Sequence, residues 1–257
     1  MSGAGDGFDV RSLAVTFHHG ATLARHAHPW GQLVFATSGA MHVATDATAW
    51  LVPATKAIWL PAGLAHRITI RGEVAMRTLY VAPTRSGALL AEPAALEVVP
   101  LLRELILHIL GVGMLSPERP EHARLAGLLV DLLVQARPQD LFLPLPRDAR
   151  ALALAMRLQE RPDDGRDLAL VAGEVGASLR TLQRLFPRET GLTVEAWRQK
   201  ARLIHGVACL SSGASVTTAA LACGYASVGA FITAFRRQFG VTPGRYVAGR
   251  SSQLRRR

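Results

Sequence analysis

Arg180, Gln183 and Arg184 lie within one short stretch, Gly176 to Phe186, and their side chains suit the edges of base pairs. An arginine can donate two N–H groups to guanine O6 and N7, and a glutamine can pair with adenine N6 and N7. That chemistry needs the three residues near the N-terminus of a helix that enters a major groove. The stretch supplies the parts. Asp167 to Val175 reads as a short helix with Leu168, Val171 and Val175 on one side. Gly176 can take the left-handed conformation that ends it, and Ser178 is an N-cap for the next helix. Leu182, Leu185 and Phe186 follow i, i+3, i+4 spacing and turn inward, which leaves Leu179, Arg180, Thr181, Gln183 and Arg184 facing out. An ordinary surface helix also carries Arg and Gln, so the stretch alone leaves both readings open.

The pattern recurs downstream. Arg147 to Arg161 is an amphipathic helix with Ala151, Leu154, Ala155 and Leu158 inward, and a longer helix runs from about Thr193 to Leu210 with Trp197, Ala201, Ile204 and Ala208 on one side. Val216 to Cys223 then repeats the short helix, Gly224-Tyr225-Ala226 the turn, Ser227 the cap, and Phe231, Ala234 and Phe235 the inward spacing. The two caps are 49 residues apart. A bridging helix of about 18 residues is roughly 27 Å long. It can hold two recognition helices near one DNA turn apart, roughly 34 Å. Charge agrees: residues 1–144 are balanced, and residues 145–257 carry the entire net charge of +10, as a domain facing a polyanion would. The outward positions of the second helix, Val228, Gly229, Ala230, Ile232 and Thr233, can touch thymine methyls and phosphates but have little hydrogen-bond code. Arg236, Arg237 and Arg245 are expected on the phosphate backbone, helped by the tail Arg255-Arg256-Arg257. Pro187 is expected to shorten or kink the first recognition helix after Phe186.

The run Gly224-Tyr225-x-Ser227-x3-Phe231-x3-Phe235-Arg236-Arg237-x-Phe239-Gly240-x-Thr242-Pro243-x2-Tyr246 resembles the C-terminal signature of the AraC-type transcription regulators. Ala172-x3-Gly176-Ala177-Ser178-x3-Leu182-x-Arg184-x-Phe186 is similar to that family's first unit. The resemblance implies promoter DNA as partner, with Arg180, Gln183 and Arg184 at the contacting positions of the first unit. It also implies an effector-sensing domain ahead of the DNA-binding one, and contact with RNA polymerase if the protein activates.

That preceding region, residues 9–85, breaks into short apolar runs separated by Gly, Pro, Asp and Thr: Leu33–Ala36, Met41–Val43, Ala49–Val52, Ala57–Leu60, His66–Ile70 and Met76–Val81. Such spacing predicts a β-sandwich or small barrel after a disordered tail, residues 1–8. His26, His28 and Gln32 share strand parity, and Pro61 to Ala65 form a turn that delivers His66 to a strand start. Gly20-x5-His26-x-His28-x3-Gln32-x6-Gly39 and Pro61-x-Gly63-x2-His66 resemble the two cupin motifs, with Gln32 where Glu is usual and Ile70 where the second motif closes on Asn. The resemblance implies His26, His28, Gln32 and His66 as ligands of a divalent transition metal such as nickel, zinc, cobalt or ferrous iron. The same side chains suit hydrogen bonding to strand ends or to an organic effector, with Trp30, Trp59 and Tyr80 at the pocket mouth. Within the regulators, the barrel is similar to those of efflux pumps, including nickel and cobalt efflux repressors.

Residues 86–145 are expected to be helical. Pro100 starts a stripe of Leu101, Leu102, Leu105, Ile106 and Ile109, preceded by Leu96, and a second helix after Pro120 carries Leu125, Leu128, Leu129, Leu132 and Leu133. These stripes suit packing on the barrel together with homodimerisation. Arg137 to Pro146 reads as a linker. The fold expected is therefore multidomain: an N-terminal cupin-like β-barrel, a helical linker, an all-α domain over 146–248 with two helix-turn-helix units, and a basic tail, 249–257. Cys209 and Cys223 have no metal or redox spacing, and neither a signal peptide nor a transmembrane run is evident, so a cytoplasmic protein is expected. The reading is a ligand-responsive transcription regulator and not an enzyme. The competing one, a cupin-type metal enzyme fused to a DNA-binding module, lacks an acid/base pair beside the histidines.

Overall fold

Short segments of five to eight residues, the inner ones largely apolar, give the N-terminal part its strands: β1 Val10–Phe17, β2 Thr22–His26, β3 Gly31–Ser38, β4 Ala40–Ala44, β5 Thr48–Pro53, β6 Lys56–Leu60, β7 His66–Ile70 and β8 Val74–Val81. A short helix α1 (Pro83–Ser86), strand β9 (Ala94–Glu97), helices α2 (Pro100–Val112) and α3 (Pro120–Gln135), and strands β10 (Pro138–Gln139) and β11 (Phe142–Pro144) follow. The remainder is helical: α4 Ala149–Glu160, α5 Leu168–Glu174, α6 Leu179–Thr190, α7 Val194–Ser211, α8 Val216–Ala222, α9 Val228–Phe239 and α10 Pro243–Leu254. The structure is a computed structural model that describes residues 7–54, 56–70 and 72–254, with side chains to residue 248. It divides into two units, one formed by the chain up to Thr45 with Val52–Leu141, the other by Asp46–Leu51 with the chain from Phe142 onward.

In the first unit one antiparallel sheet runs β1-β8-β3-β6-β9-β10, and β4, β7 and β2 lie side by side in another. Register decides what each face carries. Gln32 pairs with Leu60 and with Tyr80, whereas Leu33 pairs with Trp59 and with Leu79. Side chains alternate along a strand, so Gln32, Thr78 and Tyr80 share one face and Leu33, Phe35, Trp59 and Leu79 the other. The second face is covered by α2 and α3, whose Leu102, Leu105, Ile106, Ile109, Leu129 and Leu133 are buried against it. This confirms that both Leu stripes pack on the β-domain, and it leaves Leu101 and Leu128 exposed. Phe8 also packs, against Trp30, Tyr80 and Ala82, so the expected tail is shorter than residues 1–8; residues 1–6 lie outside the described residues.

The linker expectation needs correction at both ends. Ala94–Glu97, which includes Leu96, is not helical but pairs with β6. Pro138 and Gln139 pair with β9, and Phe142–Pro144 pair with Thr48–Trp50 of β5. Prolines on edge strands lack only an N–H that the ladder does not need there, so a proline-rich segment can still be sheet. In the second unit this strand is tied to α7: the Trp197 indole N–H donates to the Pro144 carbonyl at 2.7 Å, and the Lys200 ammonium sits 4.1 Å from the centre of the Phe142 ring.

The C-terminal helices follow their caps. Asp148, Asp167, Ser178, Thr193, Ser215 and Ser227 each accept a backbone N–H at the start of the helix they precede. Phe186 packs edge-on to Trp197 in the first helix-turn-helix unit. In the second, Tyr225, Phe231, Phe235, Phe239 and Tyr246 form a chain of ring contacts at 4.6–6.5 Å, which is the physical content of the aromatic signature there. Pro187 does not end α6, which runs on to Thr190. It lies on the exposed side, where the missing N–H costs least. Replacing Pro187 with Ala is expected to restore a helical hydrogen bond and stabilise this unit by about 1–3 kcal/mol, the helix-interior penalty of proline less its entropic benefit. Denaturant unfolding followed at Trp197 measures this; a loss of stability would show that the proline is needed where it stands in α6.

Candidate functional site

Gly176 and Gly224 hold the two turns in the left-handed region, at φ +69° and +68°. Each is followed by a serine cap: Ser178 Oγ accepts from Thr181 N at 3.2 Å and Ser227 Oγ from Ala230 N at 3.2 Å. On α6, Leu182, Leu185 and Phe186 are buried while Arg180, Gln183 and Arg184 are exposed. Thr181 is half-buried and its hydroxyl is engaged with that of Ser178 at 2.9 Å, so it belongs to the cap. Leu179 is half-buried. On α9, Phe231, Ala234 and Phe235 are buried, Val228 and Ile232 half-buried, and Gly229 exposed; Thr233 is exposed with its hydroxyl donating to Gly229 O. Arg236, Arg237 and Arg245 are exposed, and Arg255-Arg256-Arg257 lie outside the described residues.

Two further residues belong to this surface that sequence reasoning did not single out. Glu195 of α7 accepts from the Gln183 amide at 3.3 Å, and Gln199, one turn on, accepts from Arg237 at 3.1 Å. Both stand off the apolar side of α7 that Trp197, Ala201, Ile204 and Ala208 make, which was the only signal available. α7 thus touches a polar residue of each recognition helix.

The first unit brings His26, His28 and His66 together. One ring nitrogen of each lies within 4.8 Å of the others, and His26 and His66 are register partners across β2 and β7. Each Nδ1 is tied to a backbone carbonyl: His26 to Ala24 at 2.7 Å, His28 to Trp30 at 2.7 Å, His66 to Leu64 at 2.9 Å. A proton held there leaves the Nε2 lone pair free, the arrangement that metal-binding imidazoles use. The His66 Nε2 is buried and has no partner. Burial pushes the His66 pKa down to about 4, against the bond to Leu64 and with added repulsion from His26 and His28, so this ring is neutral at pH 7.

Gln32 completes the group. Its amide N–H donates to Thr78 Oγ1 at 3.0 Å, and that hydroxyl donates to Leu33 O at 3.1 Å, which turns Gln32 Oε1 toward His28 Nε2 at 3.0 Å. With Nδ1–H on the Trp30 carbonyl, the His28 Nε2 lone pair and the Gln32 amide oxygen face one another, a pair of donors that a cation could bridge. Three imidazoles and an amide oxygen fit a borderline transition metal. The Tyr80 ring stands edge-on to His28 at 5.2 Å, and burial raises its phenol pKa. Trp30 is buried beside Tyr80 under the Arg11 guanidinium. Trp59 is elsewhere, on the helix-covered face, with its indole N–H on Leu90 O; a register that parity alone could not supply placed it there.

Known proteins share both halves. Residues 12–155 match the AraC-like ligand binding domain family and residues 171–249 a helix-turn-helix domain family. The HTH-type transcriptional regulator NimR of Escherichia coli is 32% identical over 240 residues, covering 92% of this chain and 88% of that protein. The HTH-type transcriptional activator RhaS of Escherichia fergusonii is 35% identical over 108 residues, covering 42% of this chain and 39% of its own length. Among solved structures, fatty-acid-bound ToxT of Vibrio cholerae covers 96% of this chain and 97% of its own at 12% identity, with a TM-score of 0.39. The relatives are named as regulators, in keeping with a protein that is not an enzyme, and among the described residues no helix is long and apolar enough to cross a membrane. With an AraC-like ligand-binding domain followed by paired helix-turn-helix units, the chain belongs to the AraC family of DNA-binding transcription regulators.

Proposed function

We propose that this regulator senses a divalent transition metal through His26, His28, His66 and Gln32, and that binding there changes its hold on promoter DNA. The observation that carries the reading is the grouping of the three rings: every Nδ1 is spent on a backbone carbonyl, one nitrogen of each ring lies within 4.8 Å of the others, and Gln32 Oε1 is 3.0 Å from His28 Nε2. A bound ion would accept the lone pairs of His28 Nε2 and Gln32 Oε1, which lie 3.0 Å apart. The reading extends to a homodimer formed through α2 and α3, supported by exposed Leu101 and Leu128, and to an efflux transporter as the controlled gene, which rests on the sequence resemblance alone.

The test is thermal unfolding of the full-length protein with nickel or zinc chloride in several-fold molar excess. A ligand that prefers the native state adds about 2.7 kcal/mol at a hundred times its Kd, so the midpoint is expected to rise by several degrees. The rise should vanish in His26→Ala, whose ring is the most exposed of the three. No stabilisation by either metal would overturn the metal reading. A second reading, an aromatic or drug-like effector, is favoured by one feature: the buried Trp30 indole N–H has no hydrogen-bond partner beside the Tyr80 ring, as a donor awaiting a ligand acceptor would.

A further inference from the structure

The two turn glycines are alike in backbone and unlike in surroundings. Gly176 and Gly224 have nearly the same positive φ, yet a Cβ on Gly176 would meet nothing within 4 Å, whereas one on Gly224 would lie 2.8 Å from the Asp163 carbonyl oxygen and 2.9 Å from its Cα. The turn itself therefore does not explain the contact. Something is docked on the second unit's turn, and it is the loop between α4 and α5, the segment that leads into the first unit.

That loop is held from its other side by α7. Arg202 donates to Pro162 O at 2.7 Å and to Asp164 O at 2.8 Å. Arg198, one helical turn earlier, donates to Arg166 O at 3.2 Å and also to Asp164 O. Within the loop, Arg166 pairs with the Asp164 carboxylate at 2.7 Å and with Glu174 of α5 at 2.7 Å, which ties the loop to the helix before the first recognition helix. Both α7 arginines are half-buried and spend their donors on neutral carbonyls. Guanidinium forks used in this way fix a backbone path; they do not neutralise a partner.

We propose that Arg198 and Arg202 are positioning residues for DNA binding: through the Pro162–Arg166 loop they lock the turn of the second helix-turn-helix unit, at Gly224, to the first. The inference rests on both units engaging the duplex. Two recognition helices on one rigid frame must match the helical repeat before contact, because ordering them afterwards costs affinity. The first unit holds the base-reading side chains, so loosening the lock should cost the contacts of the second, which are to phosphates.

The experiment is hydroxyl-radical footprinting of the full-length protein on a duplex selected by it from a random library. The wild type should protect two backbone patches about one helical turn apart. Arg202→Leu should keep the first patch, lose most of the second, and bind with a shallower dependence on salt, since fewer counterions are released. Arg202→Lys, which can still reach one carbonyl, should recover part of the second patch. Gly224→Ala, which pushes the loop away while leaving both arginines, should reproduce the loss of the second patch and covers the case in which Arg202→Leu does not fold. Arg237→Ala should weaken the second patch without shifting it, so a wild-type footprint with a single patch would sink the two-unit reading itself and the lock with it. Two intact patches and an unchanged salt slope in folded Arg202→Leu or Gly224→Ala would overturn the proposal, as would equal loss of both patches.

Discussion

Gly39→Ala is expected to lower the stability of the N-terminal unit by about 2–5 kcal/mol, the sum of the left-handed strain on a residue with a Cβ and the overpacking that follows. Gly39 sits between β3 and β4 at φ +78°. A Cβ there would fall 2.2 Å from the Glu73 carbonyl oxygen, 3.0 Å from Val74 Cγ2 and 3.1 Å from Val74 Cα, and the first and last of these are backbone atoms that cannot rotate away. Relief would have to come from β8, whose Ala75 pairs with Ser38 next to a break in register. That strand carries Thr78 and Tyr80, which orient and flank the Gln32–His28 pair, so the damage should reach the pocket. Gly20→Ala and Gly63→Ala are the controls: both glycines have positive φ, but a Cβ on either meets nothing within 4 Å. They should cost only the backbone strain, about 1–2 kcal/mol. Thermal unfolding of the three variants would settle the comparison, and equal losses for all three would show that the contact with β8 is not what fixes Gly39.

How far the sequence foretold this structure depends on the range of the forces involved. Helices α4 to α9 were legible because their signals are local: the serine caps, the glycine turns and the i, i+3, i+4 apolar spacing all lie within a turn or two of one another. Helix α10 was not foreseen, and it runs to Leu254, past the domain end expected at residue 248. The parity of His26, His28 and Gln32 was legible for the same reason. What failed needed long-range pairing. Leu96 looked like the start of a helical stripe, but β6 offers Ala94–Glu97 a ladder, and a four-residue apolar run has no periodicity to choose between the two. Pro138 and Pro144 looked like linker because composition does not record that an edge strand can dispense with an N–H. Trp59 was assigned to the pocket without the β3–β6 register, and a shift of one residue moves a side chain to the other face. Glu195, Gln199 and Arg202 were invisible for a different reason. They are ordinary polar residues on a helix, and only the tertiary arrangement shows that they reach both recognition helices and the α4–α5 loop.

Arg184→Ala should abolish most of the sequence preference while leaving much of the general affinity for DNA. Arg184 is exposed on α6, one turn past Arg180 and adjacent to Gln183, on a helix whose opposite side is anchored by Leu182, Leu185 and Phe186. Among the described residues no acidic side chain pairs with its guanidinium, in contrast to Arg157 and Arg166, which are paired with Glu174. A bidentate arginine–guanine contact discriminates by about 1–3 kcal/mol, so specific binding should weaken by about 5- to 150-fold. The same substitution at Arg237 removes a residue expected to reach phosphates, and it should weaken all sequences alike and reduce the salt slope by about one. The second recognition helix cannot compensate, because Val228, Gly229, Ile232 and Thr233 offer methyl groups and a hydroxyl already donating to Gly229 O. Competition gel shifts with specific and unrelated duplexes at two salt concentrations separate the two effects. If Arg184→Ala kept the wild-type preference, base discrimination would have to pass to Arg180 and Gln183, and Glu195, which holds the Gln183 amide at 3.3 Å, would become the next residue to vary.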